Sequence, residues 1–101
     1  MRVELLYFDD CPNWRVTDGL LATLSEELGF VVERREVRSL EEAQELDFRG
    51  SPTIRIDGAD PFADPSGSVG MSCRIYATPE GLAGSPTLDQ LRAALVGTRG
   101  A

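Results

Sequence analysis

The sequence predicts a single α/β domain with the element order β-α-β-α-β-β-α. Apolar runs of strand length alternate with helical patterns in the first half of the chain, two short strand runs follow, and leucines at helical spacing come last. A βαβ unit crosses over right-handed and gives two parallel strands, and the closing hairpin adds two antiparallel ones. We therefore expect a four-stranded mixed sheet in the order 2-1-3-4, with helices on both faces.

The first strand and the first helix have the clearest patterns. Residues 2–8 are nearly continuously apolar, which is typical of a central strand buried on both faces. A helix is predicted over residues 12–28, because leucines follow at helical spacing. Pro12 suits the first helical turn, where its missing N–H costs nothing, and Gly29 is a natural stop.

The next two elements are a charged strand and a short helix. Residues 31–37 combine valines with four charged positions, so they indicate an edge strand. Ser39 and Glu42 have the spacing of a capping box, which opens a helix through about Leu46.

The second half of the chain adds two strands, a long loop and the last helix. The strands are expected over residues 52–56 and 73–76, the loop over residues 58–70, and the last helix from Ser85 onward. Residues 1–96 then make one domain, and residues 97–101 are expected to be a frayed C-terminal tail.

The composition excludes several functional classes. A net charge of −7 disfavours nucleic acid and anionic membrane surfaces as partners. No apolar stretch approaches the ~20 residues of a membrane span, and we predict a cytoplasmic protein. The chain has no histidine, and the loop aspartates Asp57, Asp60 and Asp64 lack calcium-loop spacing, so no metal and no cofactor are expected.

Cys11, in the segment Cys11-Pro12-Asn13-Trp14, is the first candidate for a reactive thiol. Unpaired backbone amides and the helix dipole at the start of a helix favour a thiolate. Arg15 adds to that effect, whereas Asp9-Asp10 opposes it. The alternative is a buried, inert cysteine packed under Trp14. The reactive interpretation predicts that Cys11 is alkylated faster than Cys73.

Cys73 is a candidate resolving partner for Cys11. A regular hairpin between residues 53–57 and 72–76 places Cys73 roughly 10 Å along the sheet from the Cys11 end, which exceeds disulfide reach. The long loop leaves this register open. The alternative for Cys73 is a small, covered strand residue.

The segment Gly50-Ser51-Pro52-Thr53 opens the third strand. A proline at this position can be cis, and a cis bond would bring the backbone of Ser51 beside Cys11, as an edge for an extended substrate. The alternative is a trans proline that merely starts a strand. The candidate substrate-binding residues are therefore Pro12, Trp14, Ser51, Pro52 and Thr53.

These features resemble the thioredoxin-like superfamily across nearly the whole chain. The resemblance rests on the Cys-Pro-x-x start of the first helix, the Ser-Pro-Thr before the third strand and the order of elements. More narrowly, Gly50–Thr53, Asp57-Gly58 and Ser72–Tyr76 resemble small bacterial thioredoxin-family proteins, some of which are labelled alkylmercury lyase-like. A thioredoxin has Cys-x-x-Cys, but Trp14 stands at the fourth position here, so the local resolving thiol is missing.

The sequence leaves three functional hypotheses. The first is a thioredoxin-like thiol protein that acts through Cys11 in mixed-disulfide or thiol exchange, as a single-cysteine oxidoreductase, on a small thiol or a protein disulfide. The second is a binding module without turnover, which holds a soft metal ion, a thiol ligand or a partner protein. The third, organomercurial handling, follows from the family label alone.

Overall fold

In the computed structural model, which describes residues 1–63 and 67–99, the first apolar run forms the central strand of a mixed α/β fold. The elements in chain order are β1 (Val3–Tyr7), α1 (Trp14–Leu28), β2 (Val32–Glu36), α2 (Leu40–Glu45), β3 (Thr53–Ile56), β4 (Tyr76–Thr78), β5 (Gly81–Ala83) and α3 (Leu88–Arg99). β1 pairs with β2 in parallel and with β3 antiparallel, so the main sheet has the order β2-β1-β3.

The predicted four-stranded sheet in the order 2-1-3-4 is wrong in its last strand. β4 does not pair with β3; it pairs antiparallel with β5 in a separate two-stranded sheet. The residues before β4 pair instead with Ser51, just ahead of β3, and in the parallel sense. β4 then folds back on β5 through the tight turn at Pro79-Glu80, where Gly81 adopts a φ of 115°.

Helices lie on both faces of the main sheet, as predicted. The first core cluster joins α1 and α3 to β1 and β3 and includes Val3, Leu5, Leu21, Leu24, Ile54, Leu91 and Leu95. The second cluster lies on the opposite face and includes Leu6, Val37, Ala43 of α2, and Phe48. Adjacent residues of β1 thus enter different clusters, because side chains alternate across a strand. A strand buried on both faces accounts for the nearly continuous apolar run.

The helix ends follow the capping residues. The side chain of Ser39 accepts a hydrogen bond from the Glu42 amide, so the predicted N-cap of α2 is confirmed. Thr87 and Gln90 exchange side-chain-to-amide hydrogen bonds at the start of α3. α3 continues through Gly97 to Arg99, and residues 100 and 101 lie outside the described part of the chain. None of the helices among residues 1–63 and 67–99 is long and apolar enough to cross a membrane.

Candidate functional site: a pair of thiols beside a cis proline

Cys11 lies in the turn between β1 and α1, not in the helix. α1 begins at Trp14 and not at Pro12, so the predicted helix-start position of this thiol is wrong. The Cys11 side chain is completely buried. Its thiol donates a hydrogen bond to the main-chain carbonyl of Ser51, over a sulfur–oxygen distance of 3.6 Å. The hydrogen-bond partner of this sulfur is therefore a neutral carbonyl.

Ser51 is buried and its main chain connects two segments of the site. The Ser51–Pro52 peptide bond is cis, as expected from the sequence. The Ser51 amide donates to the carbonyl of Ser72 at 2.8 Å, and the Ser51 carbonyl accepts from the amide of Arg74 at 2.9 Å. The backbone edge that the sequence assigned to an extended substrate is therefore occupied by the chain's own residues.

Cys73 lies between those two hydrogen bonds, and both it and Cys11 are free thiols. The two cysteines meet at the same residue, because the Cys11 thiol donates to the Ser51 carbonyl and Cys73 pairs with Ser51. The expected antiparallel hairpin between residue 73 and β3 is wrong, since residue 73 pairs in parallel with Ser51. Cys73 is also exposed, so its interpretation as a covered strand residue is wrong.

The two thiols differ in exposure, and Cys11 affects the titration of Cys73. The pKa of Cys73 lies above the ordinary cysteine value of 9.0, first because of its hydrogen bond with Cys11, then through partial desolvation and the charge on Cys11. Once the pair has lost one proton, it holds the second more tightly. Cys73 is open to solvent and Cys11 is not. The expectation that Cys11 is alkylated faster assumed the opposite accessibility.

The other predicted site residues are dispersed around this pair. Pro12 is exposed, whereas Pro52 and Thr53 are buried. Trp14 stacks on Tyr7 with ring centroids 4.1 Å apart, and it packs against the first core cluster. Trp14 and Pro52 pack within the protein and help to hold the site in place, whereas Thr53 lines a groove beside Cys73.

Arg74 and Tyr76 also lie at the site, and of these two the sequence did not single out Arg74. The Arg74 guanidinium forms a largely buried ion pair with Asp60 at 2.5 Å and lies over the Tyr76 ring, 4.6 Å from its centroid. The expected solvated aspartate loop is thus wrong for Asp60, while Asp64 lies outside the described residues. The only sequence signal for Arg74 is a cation next to a cysteine in an acidic chain.

Tyr76 forms a hydrogen bond with the cis proline, and the contribution of this bond to stability can be tested by substitution. Its buried hydroxyl donates to the carbonyl of Pro52 at 2.5 Å. Tyr76→Phe leaves that carbonyl without its partner, so we expect a loss of about 1–2 kcal/mol in the free energy of unfolding, measured by urea denaturation.

The difference in the free energy of unfolding between wild type and Tyr76→Phe should also depend on pH. Burial raises the pKa of Tyr76 above its ordinary value, so the neutral hydroxyl is favoured by the folded state. Its contribution to stability is present below pH 10 and is lost as the pH rises further. The difference in stability between wild type and Tyr76→Phe should therefore shrink above pH 10; a difference that grows there would contradict the assignment.

Comparison with family models, with curated proteins and with solved structures finds no match to this chain. The thioredoxin-like resemblance therefore stays a prediction from the residues. Within residues 1–63 and 67–99, no cluster of three or more cysteine, aspartate or glutamate side chains comes together in a way that could hold a metal ion.

Proposed function

We propose that the protein is a thioredoxin-like thiol–disulfide exchange protein in which Cys11 and Cys73 work as a pair. The observation that supports this proposal is that both thiols lie at Ser51: the Cys11 thiol donates to its carbonyl and Cys73 pairs with it, and of the two only Cys73 is open to solvent. Cys73 supplies the second thiol that the Cys-x-x-Trp segment lacks. The proposal thus replaces the single-cysteine hypothesis from the sequence with a two-cysteine one.

The chemistry assigns one role to each sulfur. The Cys73 thiolate attacks one sulfur of a substrate disulfide, the substrate S–S bond breaks, and the first thiolate leaves as a thiol after it takes a proton. Cys11, as a thiolate, then attacks the Cys73 sulfur and displaces the second substrate thiol. Two cysteine thiols are thereby oxidised to one disulfide, one substrate disulfide is reduced to two thiols, and the two cysteine protons end on the products.

The pH dependence follows from the raised pKa of Cys73. In the wild type, the rate of exchange at Cys73 should keep rising above pH 9.0, since the reactive thiolate forms late. In Cys11→Ser, the main cause of the raised pKa is gone, so the rise should level off at a lower pH. A stopped-flow pH profile of the two proteins measures this shift; identical profiles would contradict the coupling.

The order of the two steps is tested with bis(2-hydroxyethyl) disulfide as the substrate and intact-mass spectrometry as the readout. The wild type should form an internal disulfide and release two thiols per chain. Cys11→Ser should stop as a mixed disulfide at Cys73 and release one. Cys73→Ser should react at least about tenfold more slowly, because Cys11 is buried.

A matched control keeps two thiols but moves one of them. In Cys73→Ser/Ser72→Cys, the exposed thiol stands one residue earlier, and adjacent residues of an extended segment point to opposite sides. This variant should give a mixed disulfide without an internal one. A wild type that accumulates mixed disulfides on both cysteines would overturn the proposal.

The binding-module hypothesis receives support from the same two sulfurs. Paired thiols are soft ligands that suit a soft metal ion. A wild type that forms no internal disulfide but binds one silver ion per chain, with loss of binding in either cysteine variant, would favour this second function.

A further inference from the structure

A groove of about 600 Å³ opens beside Cys73, between the end of α2, β3 and the segment before β4. Its size falls in the range of roughly 300–1,000 Å³ that is typical of small-molecule sites. Cys73 contributes to the wall, so a molecule that occupies the groove lies next to the exposed thiol. Nothing in the proposed exchange step itself requires such a groove.

The groove carries an excess of positive charge in a protein whose net charge is −7. Its described lining includes three arginines and two aspartates. Arg74 is paired with Asp60, and Arg49 is paired with Asp47. The third arginine, Arg55, is the source of the excess.

Arg55 is held toward the groove by neutral partners. Its guanidinium donates to the main-chain carbonyls of Leu46 at 2.6 Å and Asp47 at 3.2 Å, at the C-terminal end of α2. No carboxylate among residues 1–63 and 67–99 forms an ion pair with it. A half-buried arginine whose position is fixed by carbonyls, and which has no ion-pair partner among those described residues, is suited to bind an anion.

We propose that this groove binds a small disulfide or thiol that carries carboxylates, with one carboxylate paired to Arg55 and the sulfur presented to Cys73. This inference rests on the proposed function and narrows its substrate class. A long peptide is disfavoured because the Ser51 backbone edge is already occupied by the chain itself.

The test compares three symmetric disulfides that differ in charge: 3,3′-dithiodipropionate, bis(2-hydroxyethyl) disulfide and cystamine. The rate of internal disulfide formation is measured in each at fixed ionic strength. Arg55→Gln should slow the dianionic substrate by about tenfold, since a charge-assisted hydrogen bond is lost, and should leave the neutral one unchanged. Arg35→Gln, on exposed β2, makes the same change in net charge away from the groove and should lower none of the rates appreciably.

Two further variants keep the test decisive if Arg55→Gln folds poorly. Arg55→Lys retains the charge and should retain most of the preference for the dianion. Asp47→Asn removes the counterion of Arg49, at a position whose φ of 53° asparagine tolerates, and should speed the dianionic substrate by about twofold. The control for Asp47→Asn is Asp89→Asn, at an exposed position of α3.

The outcomes separate the two proposals. A loss confined to 3,3′-dithiodipropionate supports the groove as a carboxylate site. An equal loss with all three substrates, or no loss, overturns the groove proposal and leaves the thiol exchange intact. A wild type that forms no internal disulfide with any of the three overturns the proposed function and this inference with it.

Discussion

Replacing Gly50 with alanine should lower the free energy of unfolding by about 3 kcal/mol and separate the two thiols. Gly50 has a φ of 117°, a conformation that L side chains rarely adopt. An added Cβ would also lie 3.0 Å from the Cβ of Arg74 and 3.2 Å from the carbonyl oxygen of Ser72. Both contacting atoms belong to the segment that carries Cys73. The Arg74 Cβ and the main chain beside it can move little to make room for the added Cβ.

Two other glycines separate the causes of this effect. Gly58 has a φ of 85° but open space where a Cβ would be, so Gly58→Ala measures backbone strain alone and should cost about 1 kcal/mol. Gly19, in α1, has neither a positive φ nor a neighbour within 4 Å, so alanine there should be neutral or stabilising by up to about 1 kcal/mol. Urea denaturation gives all three values.

The separation of the thiols has its own measurement. In Gly50→Ala, the yield of internal disulfide after brief oxidation should fall at protein concentrations and urea levels where the variant is still folded. Gly58→Ala should match the wild type. If Gly50→Ala destabilises no more than Gly58→Ala and forms the disulfide normally, the close approach of residues 72–74 does not depend on glycine.

The elements that the sequence predicted well are those whose own residues carry the pattern. β1 is apolar apart from Glu4 because both its faces are largely buried, and Ser39 caps α2 through a local hydrogen bond three residues away. Such short-range relations are contained in a single sequence. The cis bond before Pro52 was predicted on a different ground, because the order of elements favoured it.

The position of Cys73 could not be predicted in the same way. Residues 73–76 suggest a strand, but their pairing is decided by a parallel bridge to Ser51, where only a few main-chain hydrogen bonds and the bare backbone of Gly50 select the partner. A hairpin with β3 satisfies the same apolar pattern. Local periodicity does not distinguish the two, because the choice depends on contacts between residues more than twenty positions apart.

The charge environment of the groove was missed for a related reason. Arg55 alternates with two isoleucines in β3 and reads as an ordinary solvent-facing strand residue. The structure directs its guanidinium to the carbonyls at the end of α2. That contact joins β3 to the end of α2, so it depends on how the two elements pack in the folded protein.

Phe48→Ala should cost about 3–5 kcal/mol, the range for deleting a fully buried aromatic side chain. Phe48 is completely buried in the second core cluster, which has few other large side chains to close the resulting cavity. A domain of this size has a total stability of roughly 5–15 kcal/mol, so the loss is a large fraction of it. Phe48→Leu fills most of the volume and should cost far less, as urea denaturation of both variants would report.

The same substitution should expose Cys11, because Phe48 also anchors the segment that leads to Cys73. Val69 and Met71 pack against its cluster, and its carbonyl accepts a hydrogen bond from the Gly70 amide at 3.1 Å. A cavity at Phe48 weakens this packing and favours local opening of residues 72–74, which pair with Ser51, the hydrogen-bond partner of the Cys11 thiol. Iodoacetamide should therefore label Cys11 faster in Phe48→Ala than in the wild type under fully native conditions, with Phe48→Leu close to the wild type. Labelling that accelerates only in proportion to global unfolding would show that the second cluster does not control access to the buried thiol.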